Sequence, residues 1–177
     1  ALPEVNQEIA KNMVLQMVGQ EKYMVFEKNR DLDFSTMIDG GSRFRVNAHW
    51  QKETIAISFR VISSKIPDLD SLHLPPIAKE LTDLPRGLIL VTGHTGSGKS
   101  TTLAAMINVI NQKCRKRIIT MEDPIEYMLE NKSCMIEQRE VGSDCPTFAS
   151  GLKHALRQDP DVILVGEMRD LETTSST

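Results

Sequence analysis

Residues 93–100, Gly93-His94-Thr95-Gly96-Ser97-Gly98-Lys99-Ser100, match G-x-x-x-x-G-K-[ST] at every specified position. Glycines so placed let backbone N–H groups turn inward around a phosphate, and a helix opening after them adds its positive end. The lysine of this motif reaches the β- and γ-phosphates, and the hydroxyl beside it is a ligand for Mg²⁺. Residue frequencies put a chance match in a chain this long on the order of 1%. No G-x-G-x-x-G with a following ribose acid occurs, so a dinucleotide site is excluded. The motif assigns Gly93, His94, Thr95, Gly96, Ser97, Gly98, Lys99, Ser100 and Thr101 to a nucleotide. His94, at a variable position, lies near it without a chemical role.

Two apolar runs end in carboxylates, Met121-Glu122-Asp123-Pro124 and Val165-Gly166-Glu167. In a parallel sheet, ligands sit outside the carboxyl ends of the strands. A hydrolase needs one carboxylate to orient or deprotonate a water, and a second to hold Mg²⁺ through its water shell. The blander alternative is an acid that caps the next helix or is simply solvated. Glu122 precedes Pro124, which stops the strand, and is assigned to the attacking water. Gly166 stands where a phosphate-loop enzyme usually has its metal-binding Asp. Glu167 is therefore assigned chiefly to the metal, together with Ser100. The opposite assignment stays open, because many such enzymes take their base from the position Glu167 occupies. Lys99, Glu122 and Glu167 form the expected catalytic set, with ATP and Mg²⁺ as cofactors.

These residues need elements to hold them. GLILVTG (87–93), RIITMED (117–123) and DVILVGE (161–167) are continuous apolar runs. TTLAAMINVINQ and FASGLKHALRQ alternate with them at helical spacing. The pattern predicts a parallel sheet covered on both faces. Upstream, residues 4–28 predict a helix whose apolar positions include Val5, Ile9, Met13 and Met17. DGG at 39–41 marks a turn, and RFRVNAHW and TIAISFRVI alternate as two antiparallel strands. The proline-rich stretch 67–86 reads as a linker carrying one short helix around Ile77–Leu81. The expected division is 1–66, 67–86 and 87–177.

Composition removes other classes. The 177 residues carry 21 Lys and Arg against 24 Asp and Glu, a net charge of −3, which gives no general attraction to nucleic acid. Aromatics make up only 5%, too few for a base-stacking stripe. The basic run Lys113, Arg115, Lys116, Arg117 is read as compensation at a helix C-terminus. No apolar run approaches the ~20 residues of a membrane span. Cys114, Cys134 and Cys145 form no C-x-x-C pair and are read as free thiols, with no zinc site. His49, His73 and His154 have no metal-ligand spacing.

The phrases VTGHTGSGKSTTLAAMI, ITMEDPIEY, QREVG and LRQDPDVILVGEMRDLET resemble the secretion-ATPase superfamily. Within it they are most similar to the type IV pilus retraction ATPases of twitching motility, the PilT-type proteins. RFRVN, a strand ending in SFRVI and LPRGLILVTG favour that branch, and the resemblance covers nearly everything from Asp33 onward. It implies a RecA-like P-loop NTPase core, truncated after its Walker B segment, behind a partial α+β PAS-like N-terminal domain. It implies an acidic box at Glu122–Glu126 and an atypical Walker B segment at Val162–Glu167. Arg45 and Arg60 match family arginines that approach a neighbouring subunit's nucleotide, where a cation stabilises transition-state charge; the alternative is a solvated strand face. The resemblance further implies a homo-hexamer in the cytoplasm, docked on an inner-membrane pilus platform protein. The family's histidine box has no counterpart before Thr177, so this segment is expected to be inactive alone. The alternatives are a pilus-assembly or type II secretion ATPase and, from another class, a non-hydrolysing regulatory module. The regulatory module predicts loss of a strand-end acid, yet Glu122 and Glu167 are both present.

Overall fold

The computed structural model describes residues 4–38, 42–63 and 65–168. The expected turn at 39–41 and the polar close of the chain lie outside them. The chain divides into two units, the first ending at Ile62 and the second beginning at Ser63.

The first unit is a helix on a meander. Helix α1 (Gln7–Asn29) starts where the Asn6 side chain accepts the Ile9 N–H, and it ends on Arg30 in the left-handed region. Strands β1 (Asp31–Ile38), β2 (Ser42–Gln51) and β3 (Thr54–Ile62) form an antiparallel sheet in that order. The face of α1 differs from the expected one. Ala10, Val14, Tyr23 and Phe26 are buried, whereas Val5 and Ile9 are exposed. Gly19, at φ 77° and ψ 171°, breaks the helix and re-phases its second half, so one helical period cannot describe both halves. The core closes with Phe26 stacked on Trp50, and the Arg30 guanidinium lies over the Trp50 ring, 4.2 Å from its centroid.

In the second unit, β4 (Arg117–Glu122) lies between β5 (Met135–Glu140) and β6 (Val162–Val165), and both pairings are parallel. Ile118, Ile119, Thr120 and Met121 of β4 are buried, as a strand with neighbours on both edges should be. Helix α4 (Phe148–Ala155), capped by the Thr147 hydroxyl, lays Phe148, Leu152 and Ala155 on Ile119 and Met121. Helix α3 (Lys99–Lys113) follows the glycine loop, and its Ile107 joins Ile118 and Cys134 in a further cluster.

Two expectations change. Residues 67–86 do not stand apart as a linker. Short 3₁₀ turns at Leu69–Leu72 and Leu81–Asp83 flank helix α2 (Ile77–Glu80), and Leu69, Leu72 and Leu81 pack with Ala105 and Met106 of α3. The run 87–93 is not a buried strand. It forms no ladder among the described residues, and Leu88, Ile89 and Leu90 are 66%, 38% and 59% exposed. An apolar run becomes a sheet strand only where a neighbour supplies its backbone partners, and no described strand pairs with it.

No helix among the described residues is long and apolar enough to cross a membrane.

Candidate functional site

The glycine loop opens directly into α3. Gly98, at φ 90° and ψ 15°, is the N-cap and has no side chain to cap the helix. The first intrahelical bond runs from the Thr102 N–H to the Gly98 carbonyl, at 2.8 Å. The N–H groups of Lys99, Ser100 and Thr101 therefore have no acceptor within the helix and add to its positive end. Gly93 has a φ of 155°, which an L side chain adopts only under strain, and a Cβ there would also crowd the Ser97 side chain, 3.3 Å from its Cβ. Lys99 Nζ arches back and donates to the Gly93 and His94 carbonyls at 2.9 and 3.0 Å. The His94 ring lies against the Thr95 carbonyl, 2.8 Å away.

The ends of β4 and β6 meet the start of α3 around one cleft. Ser100, Glu122, Glu126, Tyr127 and Glu167 all line it. The cleft thus brings together the hydroxyl and the two carboxylates expected from the sequence; Arg45 and Arg60 belong to the first unit. A second tie joins α3 to the cleft wall, because Thr101 Oγ1 and Tyr127 OH share a hydrogen bond of 3.0 Å.

Glu122 is held with definite orientation. Its Oε1 accepts from the Thr120 hydroxyl at 2.7 Å and from Gln138 Nε2 at 3.2 Å. Among the described residues its Oε2 has only a long contact, 3.4 Å, from the Glu126 N–H. Burial pushes this carboxyl above the usual glutamate range; the bonds from Thr120, Gln138 and Glu126 N–H pull the other way, and the Glu126 charge adds to the rise. A carboxylate so placed is a better base than a solvated one, and its lightly engaged oxygen is the one able to accept from a water.

Gly166 explains the atypical strand end. A Cβ at 166 would lie 3.2 Å from the Met121 carbonyl and 3.3 Å from Glu122 Cα. Any side chain there would press on the strand that presents Glu122, so the acid of β6 stands one residue later.

The residues fit Mg·ATP. The α3 N-terminus and the inward-turned glycines suit phosphate oxygens, and the Ser100 hydroxyl and Glu167 carboxylate are hard oxygen donors of the kind Mg²⁺ takes. Among the described residues no three His, Cys, Asp or Glu side chains are grouped to hold a metal by themselves. A cation here would complete its shell from phosphate oxygens and water.

In the first unit, Arg45 and Arg60 are direct cross-strand partners on β2 and β3. They project opposite to Val46 and Ala48, which are buried, Ala48 in the cluster with α1. Arg43, on the same face, donates to Ser35 Oγ at 2.8 Å. The basic run is divided by local pairs, Lys113 with Asp83 at 3.3 Å and Arg117 with Glu137 at 2.6 Å.

Three site residues escaped the sequence reading: Thr120, Tyr127 and Gln138. Thr120 carried a signal, because it interrupts an apolar strand two residues before Glu122 and so shares its face. Gln138 opens QREVG, one of the phrases that carry the resemblance, but nothing local marks its strand as one.

Residues 35–176 match the family model described as Type II/IV secretion system protein. The chain belongs to that family. It is 45% identical over 172 residues to the type IV pilus retractation ATPase PilT of Pseudomonas aeruginosa, covering 97% of this chain and 50% of that protein. To a twitching motility protein of Neisseria gonorrhoeae it is 47% identical, covering 97% of this chain and 46% of that one. A solved structure of the pilus retraction motor PilT with bound ADP superimposes with a TM-score of 0.90 at 46% identity, over 94% of this chain and 48% of that one. The chain thus spans about half the length of the curated relatives it matches.

Proposed function

We propose that the chain is part of an ATP-hydrolysing motor subunit that powers type IV pilus retraction. The observation that carries this reading is the convergence of Ser100, Glu122 and Glu167 on one cleft at the N-terminus of α3. The similarity to PilT from two organisms, and to a PilT structure with ADP, supports the choice of motor.

In this reading residues 93–101 cradle the phosphates through backbone N–H groups. Lys99 exchanges the two carbonyls it now holds for β- and γ-phosphate oxygens. Ser100 and, through water, Glu167 would hold Mg²⁺, which when bound would neutralise phosphate charge. Glu122 orients the attacking water with its Oε2 and takes its proton. Arg45 and Arg60 serve the nucleotide of an adjacent subunit, which makes a closed ring, a homo-hexamer, the working form. The second unit is a RecA-like P-loop core and the first a PAS-like domain. The ring works in the cytoplasm against an inner-membrane pilus platform protein.

The experiment is ATP turnover by the full-length protein carrying Lys99→Ala. No other side chain of the loop can bridge the β- and γ-phosphates, so turnover should vanish. Activity within a few-fold of the parent, as in an assay of kcat, would sink the reading.

A further inference from the structure

We propose that Gln138 is a positioning residue for the reaction at this cleft: its side-chain amide fixes the Glu122 carboxylate and the 123–129 loop in one arrangement. The proposal rests on the ATP-hydrolysis reading and adds a residue to it.

Gln138 lies on β5 as the direct partner of Thr120 on β4. Its Oε1 accepts the Leu129 N–H at 2.7 Å. Its Nε2 donates to the Tyr127 carbonyl at 2.9 Å and to Glu122 Oε1 at 3.2 Å. These partners leave the amide no choice of orientation. A backbone N–H can only donate and a backbone carbonyl can only accept, so the oxygen must face Leu129 and the NH₂ must face Tyr127 and Glu122. A donor is therefore fixed on Glu122 Oε1 beside the Thr120 hydroxyl. With that oxygen engaged twice, the remaining oxygen is left for a water.

The same amide reaches the glycine-loop side of the cleft. It grips the backbone of Tyr127, whose hydroxyl bonds Thr101 in the first turn of α3. Base, loop and phosphate-binding helix are thereby tied through one side chain. Glu140, one turn of the pleat further along β5, tethers the same loop independently, its Oε2 accepting the Ile125 N–H at 3.2 Å. The loop therefore keeps an anchor when Gln138 is changed.

The charged groups that line the cleft with Glu122 are Asp123 and Glu126 from the loop and Glu167 from the end of β6, all acidic. From β5, Gln138 directs a neutral donor at Glu122, while Glu140, the direct ladder partner of Glu122, adds a further buried carboxyl on the same face. Hydrogen bonding to the ionised form lowers a carboxyl pKa, so removing it raises that pKa.

The test compares Gln138→Met, similar in length with no donor, and Gln138→Glu, which keeps an acceptor for Leu129, in the full-length ring. Both should lower kcat roughly tenfold or more, with KM for Mg·ATP held within about threefold. The acid limb of the kcat–pH profile should move up by about one unit. The carboxyl signal of Glu122 in ¹³C-glutamate protein, assigned by its loss in Glu122→Gln, should shift its titration in the same direction. An acid limb and a carboxyl titration that both stay at the parent's values would overturn the proposal, as would a rise in KM with kcat intact. A parent that folds into rings without hydrolysing ATP defeats the functional reading instead. The carboxyl titration, which needs no turnover, would still decide whether Gln138 holds Glu122.

Discussion

Gly166 and Glu122 touch where neighbouring strands end: a Cβ on Gly166 would stand 3.3 Å from Glu122 Cα and 3.5 Å from its Cγ. The contact couples the last residues of β6 to the carboxylate assigned to the attacking water. Gly166→Ala should therefore cost about 1–2 kcal/mol of stability, the range for one added carbon in a packed site. It should lower kcat by roughly tenfold, because a small displacement of a positioned base is expensive. Urea midpoints and kcat on the full-length protein check this; an alanine variant with unchanged kcat refutes the coupling.

The raised pKa of Glu122 has a sign for stability. A carboxyl whose folded value lies above its unfolded one stabilises the fold fully below the ordinary value of about 4.3, and that contribution is lost as pH rises through the folded value. Glu122→Gln removes the buried charge, so it should unfold at higher urea than the parent at pH 7, an advantage that shrinks toward pH 4. An equal difference at both pH values would contradict the burial argument. Turnover should show the same group, with an acid limb above the range of a solvated glutamate.

The roles of the two carboxylates separate by binding. Glu122→Gln should leave Mg·ATP affinity nearly intact, whereas Glu167→Gln weakens it and steepens its dependence on Mg²⁺ concentration. Both variants slow hydrolysis, so the titrations carry the decision. The reverse pattern exchanges the roles and leaves the ATPase reading standing.

Arg45 and Arg60 face each other across β2 and β3, and like charges placed directly opposite oppose pairing. An anion from outside the sheet would relieve that repulsion. Rings mixed from Arg60→Ala and Lys99→Ala subunits should recover part of the lost turnover, each supplying what the other lacks. Mixed rings confirmed by mass and still inactive would make both arginines structural.

The parts legible in the sequence were those whose chemistry is local. Residues 93–100 declare their loop because glycine spacing and the following helix are short-range features, and Glu122 and Glu167 declare themselves by ending apolar runs. Strand β5 was not legible, since Met-Ile-Glu-Gln-Arg-Glu offers neither an apolar run nor a clean alternation; its pairing with β4 makes it a strand. β1 was missed for a related reason, its burial being only partial. The helical period of α1 misled because Gly19 resets the phase midway. The run 87–93 was read as buried on composition alone, and burial depends on a neighbour that composition does not contain. Gln138 was legible only as the first residue of the family phrase QREVG and not as a positioning group, because its partners lie on β4 and on the 123–129 loop, far from it in sequence.

That bare run has a colloidal consequence. Gly87 to Gly93 is uncharged, free of proline and rich in residues that favour extended chain, and its Leu88 and Leu90 lie open to solvent. Segments of this kind recruit one another into intermolecular sheets when they meet in concentrated solution or on a ribosome-bound chain. Self-association of these 177 residues in concentrated solution is therefore the expected outcome, and light scattering against concentration checks it. A single charge at Leu88 or Leu90 would raise the yield recovered from cells more than it would move the melting point.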